Sequence, residues 1–409
     1  MRSTYRWIGL MFGILTIICA TSVIAQDWPQ WRGTNRDGKI TKFVAPKTWP
    51  TALTQKWKIT VGLGDAAPAL VGKKLYVFTR LGDNEVVQCL DAANGNKLWE
   101  YQYAAQAITG PASSHPGPRS SPTVAAGKVV TLGIFGTLTC LDAANGKMIW
   151  TNNDFQGSTP MFGTAMSPII VDKLCIAHLG GKNNGTINAY DIANGNLVWK
   201  CPGDSPSYSS PALMTVGGKK QLVIYTDKNL EGIALTDGKI LWQVPFQPKQ
   251  RYYNSATPVI DGQVVYCTGQ GLGTKAIKIE KTGNTYTTTE LWNNKDLGTG
   301  YCSPVMEMNM LFGVSDHGSY FCINDQTGQT LWIDTVTRRE SYACVVDAGS
   351  VIFGLPNDSM LSVFEPNATG FKELTKIKVA DTPTFAFPVV SGKAIYIKDQ
   401  ESLTLWMIP

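Results

Sequence analysis

The sequence predicts an all-β fold: an eight-bladed β-propeller with tryptophan-docking repeats, closed by an N-terminal strand in the last blade. Three observations predict it. A hairpin motif recurs through the chain, a second motif alternates with it eight times, and the final repeat is one strand short.

The hairpin motif is clearest in CLDAANGNKLW (Cys89 to Trp99), CLDAANGKMIW (Cys140 to Trp150) and AYDIANGNLVW (Ala189 to Trp199). GIALTDGKILW (from Gly232) and CINDQTGQTLW (from Cys322) are weaker copies. IEKTGNTYTTTELW (from Ile279) has an enlarged turn, and VFEPNATGFKEL (from Val363) has lost its tryptophan. An aspartate ending a strand accepts hydrogen bonds from turn amides, and Asn-Gly or Thr-Gly supplies the positive-φ position a hairpin needs. Asp91, Asp142 and Asp191 are therefore expected to be turn caps and not catalytic acids.

The second motif is a small or aromatic residue, proline, a short apolar strand, a turn and another apolar strand, as in APALVGKKLYVF (from Ala67) and SPTVAAGKVVTL (from Ser121). Its prolines stand at 68, 122, 168, 211, 258, 304 and 388, with Cys344 in the equivalent place, in steps of 40 to 54 residues. Four short strands per unit of that length is the signature of a propeller blade. Proline is expected at the first residue of each inner strand, where a missing N–H matters least.

The last unit, from Pro388, holds only three strands, and QKWKIT (Gln55 to Thr60) carries the missing fourth-strand pattern. Pairing the two removes an open edge and ties the ring.

Composition narrows the function classes. Residues 1–25 join Arg2 and Arg6, an apolar run and the small-residue site Val23-Ile24-Ala25, so a signal peptide cut after Ala25 is expected, and with it a secreted or periplasmic protein that does not span a membrane. Beyond it stand an N-terminal arm over residues 26–54 and the propeller over 55–409, expected to be a monomer. The remaining 34 basic and 31 acidic residues leave net +3, scattered, which argues against nucleic acid. The eight cysteines left are expected to be mostly buried free thiols, since none is spaced as CxxC.

Repeats reading A-x-D-x-x-T-G-x-x-x-W resemble the pyrroloquinoline quinone (PQQ) repeat over nearly all of the mature chain. The resemblance implies that Trp57, Trp99, Trp150, Trp199, Trp242, Trp292 and Trp332 fasten neighbouring blades together. The superfamily includes quinoprotein alcohol dehydrogenases, which hold PQQ and calcium in the central funnel, and an outer-membrane assembly lipoprotein that works by binding partners. The sequence also resembles secreted PQQ-like propellers that begin DWPQWRG after the signal. Against a dehydrogenase stand the lack of any Cys-Cys dipeptide, the short loops and only three histidines. HExxH, GxSxG, Walker and zinc patterns are also missing, and GQGLGTK (from Gly269) joins two strands with no helix to follow.

Any site should lie on the segments that lead from each outer strand to the next inner strand, at the funnel. From these, Asp65, His115, Arg119, Tyr208, Arg251, Tyr252, Tyr301 and Arg338 are the funnel-facing candidates, Arg for bidentate donation and Tyr for amphipathic contact. The alternative is that they fill the mouth and bond one another. The stretch DWPQWRGTNRDG (Asp27 to Gly38) is expected to clamp the closing strand, with Trp28 and Trp31 buried on a blade surface and Arg32 and Arg36 paired with exposed acids. The leading functional expectation is a binding or assembly scaffold without its own catalysis, taking a protein partner or small ligand on the loop face. A PQQ-dependent oxidoreductase, with or without calcium, and a binder of carbohydrate or an anionic ligand are the alternatives.

Overall fold

The computed structural model describes residues 26–249, 253–336 and 341–409. The expected signal segment lies outside the described residues. The strands form eight antiparallel sheets of four. Blade 1 runs Ala69–Val71, Lys74–Leu81, Asn84–Asp91 and Lys97–Ala104, from the channel outward, and blades 2 to 7 repeat that order. Blade 8 takes Val389–Ser391, Ala394–Lys398 and Ser402–Met407 from the end of the chain and Thr54–Thr60 from its beginning. The closure expected from the short last repeat is therefore observed. No helix among the described residues is long and apolar enough to cross a membrane.

The hairpins behave as turn chemistry requires. Asp91 Oδ1 accepts from the amides of Ala93 and Asn94 at 2.9 and 3.2 Å, Asp142 repeats both bonds, and Asp191 Oδ1 accepts from Ala193 N at 2.7 Å. Five of the six hairpin tryptophans then reach the turn of the following blade: Trp99 Nε1 donates to Ala143 O, Trp150 to Ile192 O, Trp199 to Leu235 O, Trp292 to Asp325 O and Trp332 to Asn367 O. Trp57 does the same from the closing strand, to Ala92 O at 3.3 Å. Five turn glycines serve twice, because the rings of Trp57, Trp99, Trp150, Trp199 and Trp292 lie on Gly95, Gly146, Gly195, Gly238 and Gly328. Gly238 has φ +73°, and a Cβ there would stand 2.5 Å from the Trp199 ring.

Two blades depart from expectation. Blade 5 has no enlarged turn: its two outer strands, Gly273–Thr282 and Thr285–Asn294, extend to ten residues each around a two-residue turn. The extra residues are absorbed as ladder pairs, which satisfies their backbone groups. Trp242, facing that blade, consequently donates to Gln221 Oε1 within its own sheet, at 2.6 Å. Blade 7 lacks the tryptophan, and Trp406 of blade 8 reaches back to Val379 O at 2.9 Å.

The prolines also sit one residue earlier than expected, just outside the inner strands, which begin at Ala69, Thr123, Ile169, Ala212, Val259, Val305 and Val389. Outside the ladder, proline forgoes no hydrogen bond, and the carbonyls around it can face the channel. The serine hydroxyls before four of the prolines join neighbouring blades. Ser121 Oγ accepts from Ala67 N, Ser167 Oγ from Ser121 N, Ser210 Oγ from Ser167 N, and Ser303 Oγ from Thr257 N, all at 2.8 to 3.1 Å.

The eight cysteines among the described residues are free, and all but Cys201 are buried. Burial pushes their thiols up, Cys140 and Cys267 to about 12, so they remain protonated.

Candidate functional site

The DWPQWRGTNRDG arm occupies the central channel, and between Gln26 and Ile40 it contacts all eight blades. Trp28 exchanges both backbone bonds with Leu70 of blade 1, and Pro29 O accepts from Val124 N of blade 2. Arg36 donates to Ser167 O at 3.1 Å and to Pro168 O of blade 3, and to Pro211 O of blade 4 at 3.2 Å. Trp31 Nε1 donates to Thr257 Oγ1 of blade 5 at 2.8 Å. Arg32 donates to Ser303 O and Pro304 O of blade 6, both at 2.6 Å. Asp347 of blade 7 pairs with Gly38 and Ile40, and Ser391 of blade 8 donates to Gln26 O at 2.6 Å.

This corrects the expectation that Arg32 and Arg36 would pair with exposed acids. Both are buried, and their partners are mainly backbone carbonyls at the entrance of the inner strands. The reason is geometric: a propeller's innermost strand edges leave acceptors facing the axis, and a planar guanidinium carries five donors to meet them. Burial pushes Arg32 down to about 10 and Arg36 to about 9, so both stay charged at neutral pH. Both also hold a left-handed backbone, φ 58° and 60°, which turns the side chains toward the channel.

Above the arm is the funnel, a cavity of about 340 Å³ floored by Trp31 and walled by all eight inter-blade loops. Asp65 comes from the loop between blades 8 and 1, His115 and Arg119 from the next, then Phe162, Tyr208, Tyr253, Tyr301, Tyr342 and Phe385, one from each loop in turn. Five of the eight sequence candidates thus meet in one place. Arg251, Tyr252 and Arg338 lie outside the described residues. Sequence reasoning missed Trp31, Phe162, Tyr253, Tyr342 and Phe385. A signal was present: the residue three before the repeat proline is Asp65, Arg119, Ala165, Tyr208, Ser255, Tyr301 or Phe385, and every one of these lines the cavity.

The charged groups of the wall are engaged with one another. His115 Nδ1 and Asp65 Oδ2 are 2.8 Å apart. Arg119 donates to His115 O at 3.1 Å and to Phe162 O, with burial lowering its pKa and Asp65 opposing that shift. Tyr208 accepts from Phe162 N at 3.2 Å, and burial pushes its phenol up to about 12. The rings form two groups. Tyr301 stacks on Tyr342 with centroids 3.9 Å apart and planes 6° apart, and Phe385 meets Tyr342 and His115 edge-on. Phe162, Tyr208 and Tyr253 meet edge to face at 5.3 to 5.9 Å.

A larger cavity, about 650 Å³, lies between blades 1 and 2. Its buried acid, Glu85, is pinned by the Tyr103 hydroxyl and the Ile134 amide.

The described funnel residues do not fit PQQ with calcium. Calcium takes six to eight oxygen ligands, whereas the wall offers one carboxylate, already bonded to His115. Among the described residues, no three His, Cys, Asp or Glu side chains converge on a metal position. A quinone tricarboxylate would also need cations, and the guanidinium of Arg119 is committed to backbone carbonyls.

The sequence profile of the family described as outer membrane protein assembly factor BamB matches residues 82–334. The chain belongs to this family of PQQ-type propellers. BamB of Yersinia pestis is 21% identical over 330 residues, which cover 79% of this chain and 68% of that protein. A quinohemoprotein alcohol dehydrogenase of Comamonas testosteroni is 30% identical over 146 residues, 34% of this chain and only 20% of the enzyme's length. Among solved structures, BamB of Moraxella catarrhalis superposes with TM-score 0.67 at 17% identity, covering 87% of this chain and 98% of that one. A europium-containing methanol dehydrogenase gives TM-score 0.69 at 13% identity, covering 91% and 89%. These structural likenesses carry the fold.

Proposed function

We propose that the protein is an extracytoplasmic binding propeller, an assembly scaffold without catalysis of its own, whose docking face is the loop face around the funnel. The observation that carries this is the state of the funnel wall. Among the described residues its charged groups are bonded to each other or to backbone, as Asp65 is to His115 and Arg119 to carbonyls. What remains on the surface is aromatic contact area, suited to recognition. Family membership supports a protein partner, and the signal-like segment at residues 1–25 supports export.

A photo-crosslinking residue at Tyr301 tests the reading against one at Asn94, in a hairpin turn of the opposite face. Discrete adducts are expected in intact cells from position 301 and none from 94. Adducts from 94 alone would overturn it. So would saturable PQQ binding with dye-linked alcohol oxidation by the purified protein.

A further inference from the structure

We propose that the funnel is a sugar pocket that takes one or two rings of a neutral glycan end-on, with Tyr301 and Phe385 as its platforms. The inference rests on the reading of the loop face as the binding face and adds the chemistry of what enters it.

Shape is the first argument. The arm fills the channel below Trp31, so the cavity is reached from the loop face and ends blind. Its 340 Å³ equals the share of about eleven waters at ~30 Å³ each, which admits a sugar ring or two and not a chain in cross-section.

The wall's chemistry is the second. Among the described residues it contains aromatic rings, serines and small residues beside Asp65, His115 and Arg119, but no Leu, Ile, Val or Met. A wholly apolar ligand would leave the wall's polar groups without partners. Flat rings beside hydroxyls instead suit a molecule with C–H faces and hydroxyl edges, which describes a pyranose. Tyr342 covers one face of Tyr301, while Tyr301 itself is 42% exposed and can be stacked upon. Ser114 and Ser255 supply donors and acceptors around the wall.

Charge is the third. Asp65, His115 and Arg119 are already bonded, so among the described residues an ionic ligand would be desolvated without an uncommitted counter-charge. A neutral ligand avoids that penalty and can still bond to the outer lone pairs of the Asp65 carboxylate.

Calorimetry on the chain from Gln26 with maltose, cellobiose and diacetylchitobiose tests the proposal. Glucuronic acid and N-acetyl-tyrosinamide are the charged and aromatic comparators. At least one neutral disaccharide should bind saturably, and Tyr301→Ala and Phe385→Ala should each weaken it about tenfold. Asn94→Ala, on the far face, should leave it unchanged. Tyr301 is exposed, so its variant should melt with the parent. Failure of every neutral disaccharide at millimolar concentration overturns the proposal, as does tighter binding of glucuronic acid or of the tyrosine amide. If the cross-links from position 301 persist while no sugar binds, the sugar alone is rejected; if both fail, the docking face falls with it.

Discussion

Replacing Arg36 isolates the contribution of the arm to the ring. Its guanidinium is buried and ties blade 3 to blade 4 through Ser167 O, Pro168 O and Pro211 O. Pro168 O keeps a second donor, Thr123 Oγ1 at 2.6 Å. In Arg36→Ala the Ser167 and Pro211 carbonyls lose this charged donor, and each buried acceptor left unpaired costs about 1–3 kcal/mol. The Gln30 side chain also loses its 2.9 Å bond from Nε. A loss of about 3–5 kcal/mol is expected, a large part of a typical stability of about 5–15 kcal/mol. The backbone supplies an internal control. Arg36 sits at φ 60°, where an L side chain is strained by about 1–2 kcal/mol and glycine is not. Arg36→Gly should therefore be about 1 kcal/mol more stable than Arg36→Ala, the reverse of the order at ordinary positions. Urea melts of the chain from Gln26, read by tryptophan fluorescence, measure both. A loss below about 1 kcal/mol for Arg36→Ala, or a glycine variant weaker than the alanine one, would refute the account of the arm as a hub.

Gly238→Ala should lower stability by about 2–4 kcal/mol, since it combines left-handed strain with a Cβ driven into the Trp199 ring; the same melts check it. Glu231 is 4% exposed, and burial pushes its carboxyl from 4.5 up to about 7. The folded state then binds the proton more tightly than the unfolded one, so this group's contribution is full below about 4.5 and is lost as pH rises toward 7. Glu231→Gln keeps an acceptor for Gln243 and should raise stability at pH 8 by up to about 3 kcal/mol, with no gain at pH 4, in melts at the two pH values. In the chain from Gln26, Ellman's reagent should find at most one reactive thiol in the native protein, Cys201, and eight after unfolding. Deleting residues 26–40 should lower stability and also disturb funnel binding, read by calorimetry with a ligand that saturates the intact chain, because the cut removes the Trp31 floor.

That last expectation follows from an arm that lies in the channel, where the sequence pointed to a clamp on the closing strand, and the reason for the difference is physical. Local chemistry was legible: Asp-Asn-Gly turns, tryptophan staples, Ser-Pro strand entries and the displaced closing strand all follow from patterns a few residues long. What lay beyond local pattern was where the arm goes, since nothing in DWPQWRGTNRDG states that eight strand edges converge on an axis and leave carbonyls there. A clamp on the outside and a plug through the middle have the same composition, and only the ring's closed geometry distinguishes them. The funnel was half legible for the same reason. Residue type singled out Tyr208 and Tyr301, whereas Phe385 and Ser255 look unremarkable as residues and are placed by register, three before the proline. In a ring of repeats every copy of one position faces the axis together, so register is the stronger guide to the site and residue type the guide to its chemistry. The arm joins the two, since Trp31 is both a bond to blade 5 and the floor on which any ligand would rest. The arm's bridging of the blades and the completion of the pocket thus rest on one segment, and a ligand seated on that floor would stabilise the docked arm by mass action.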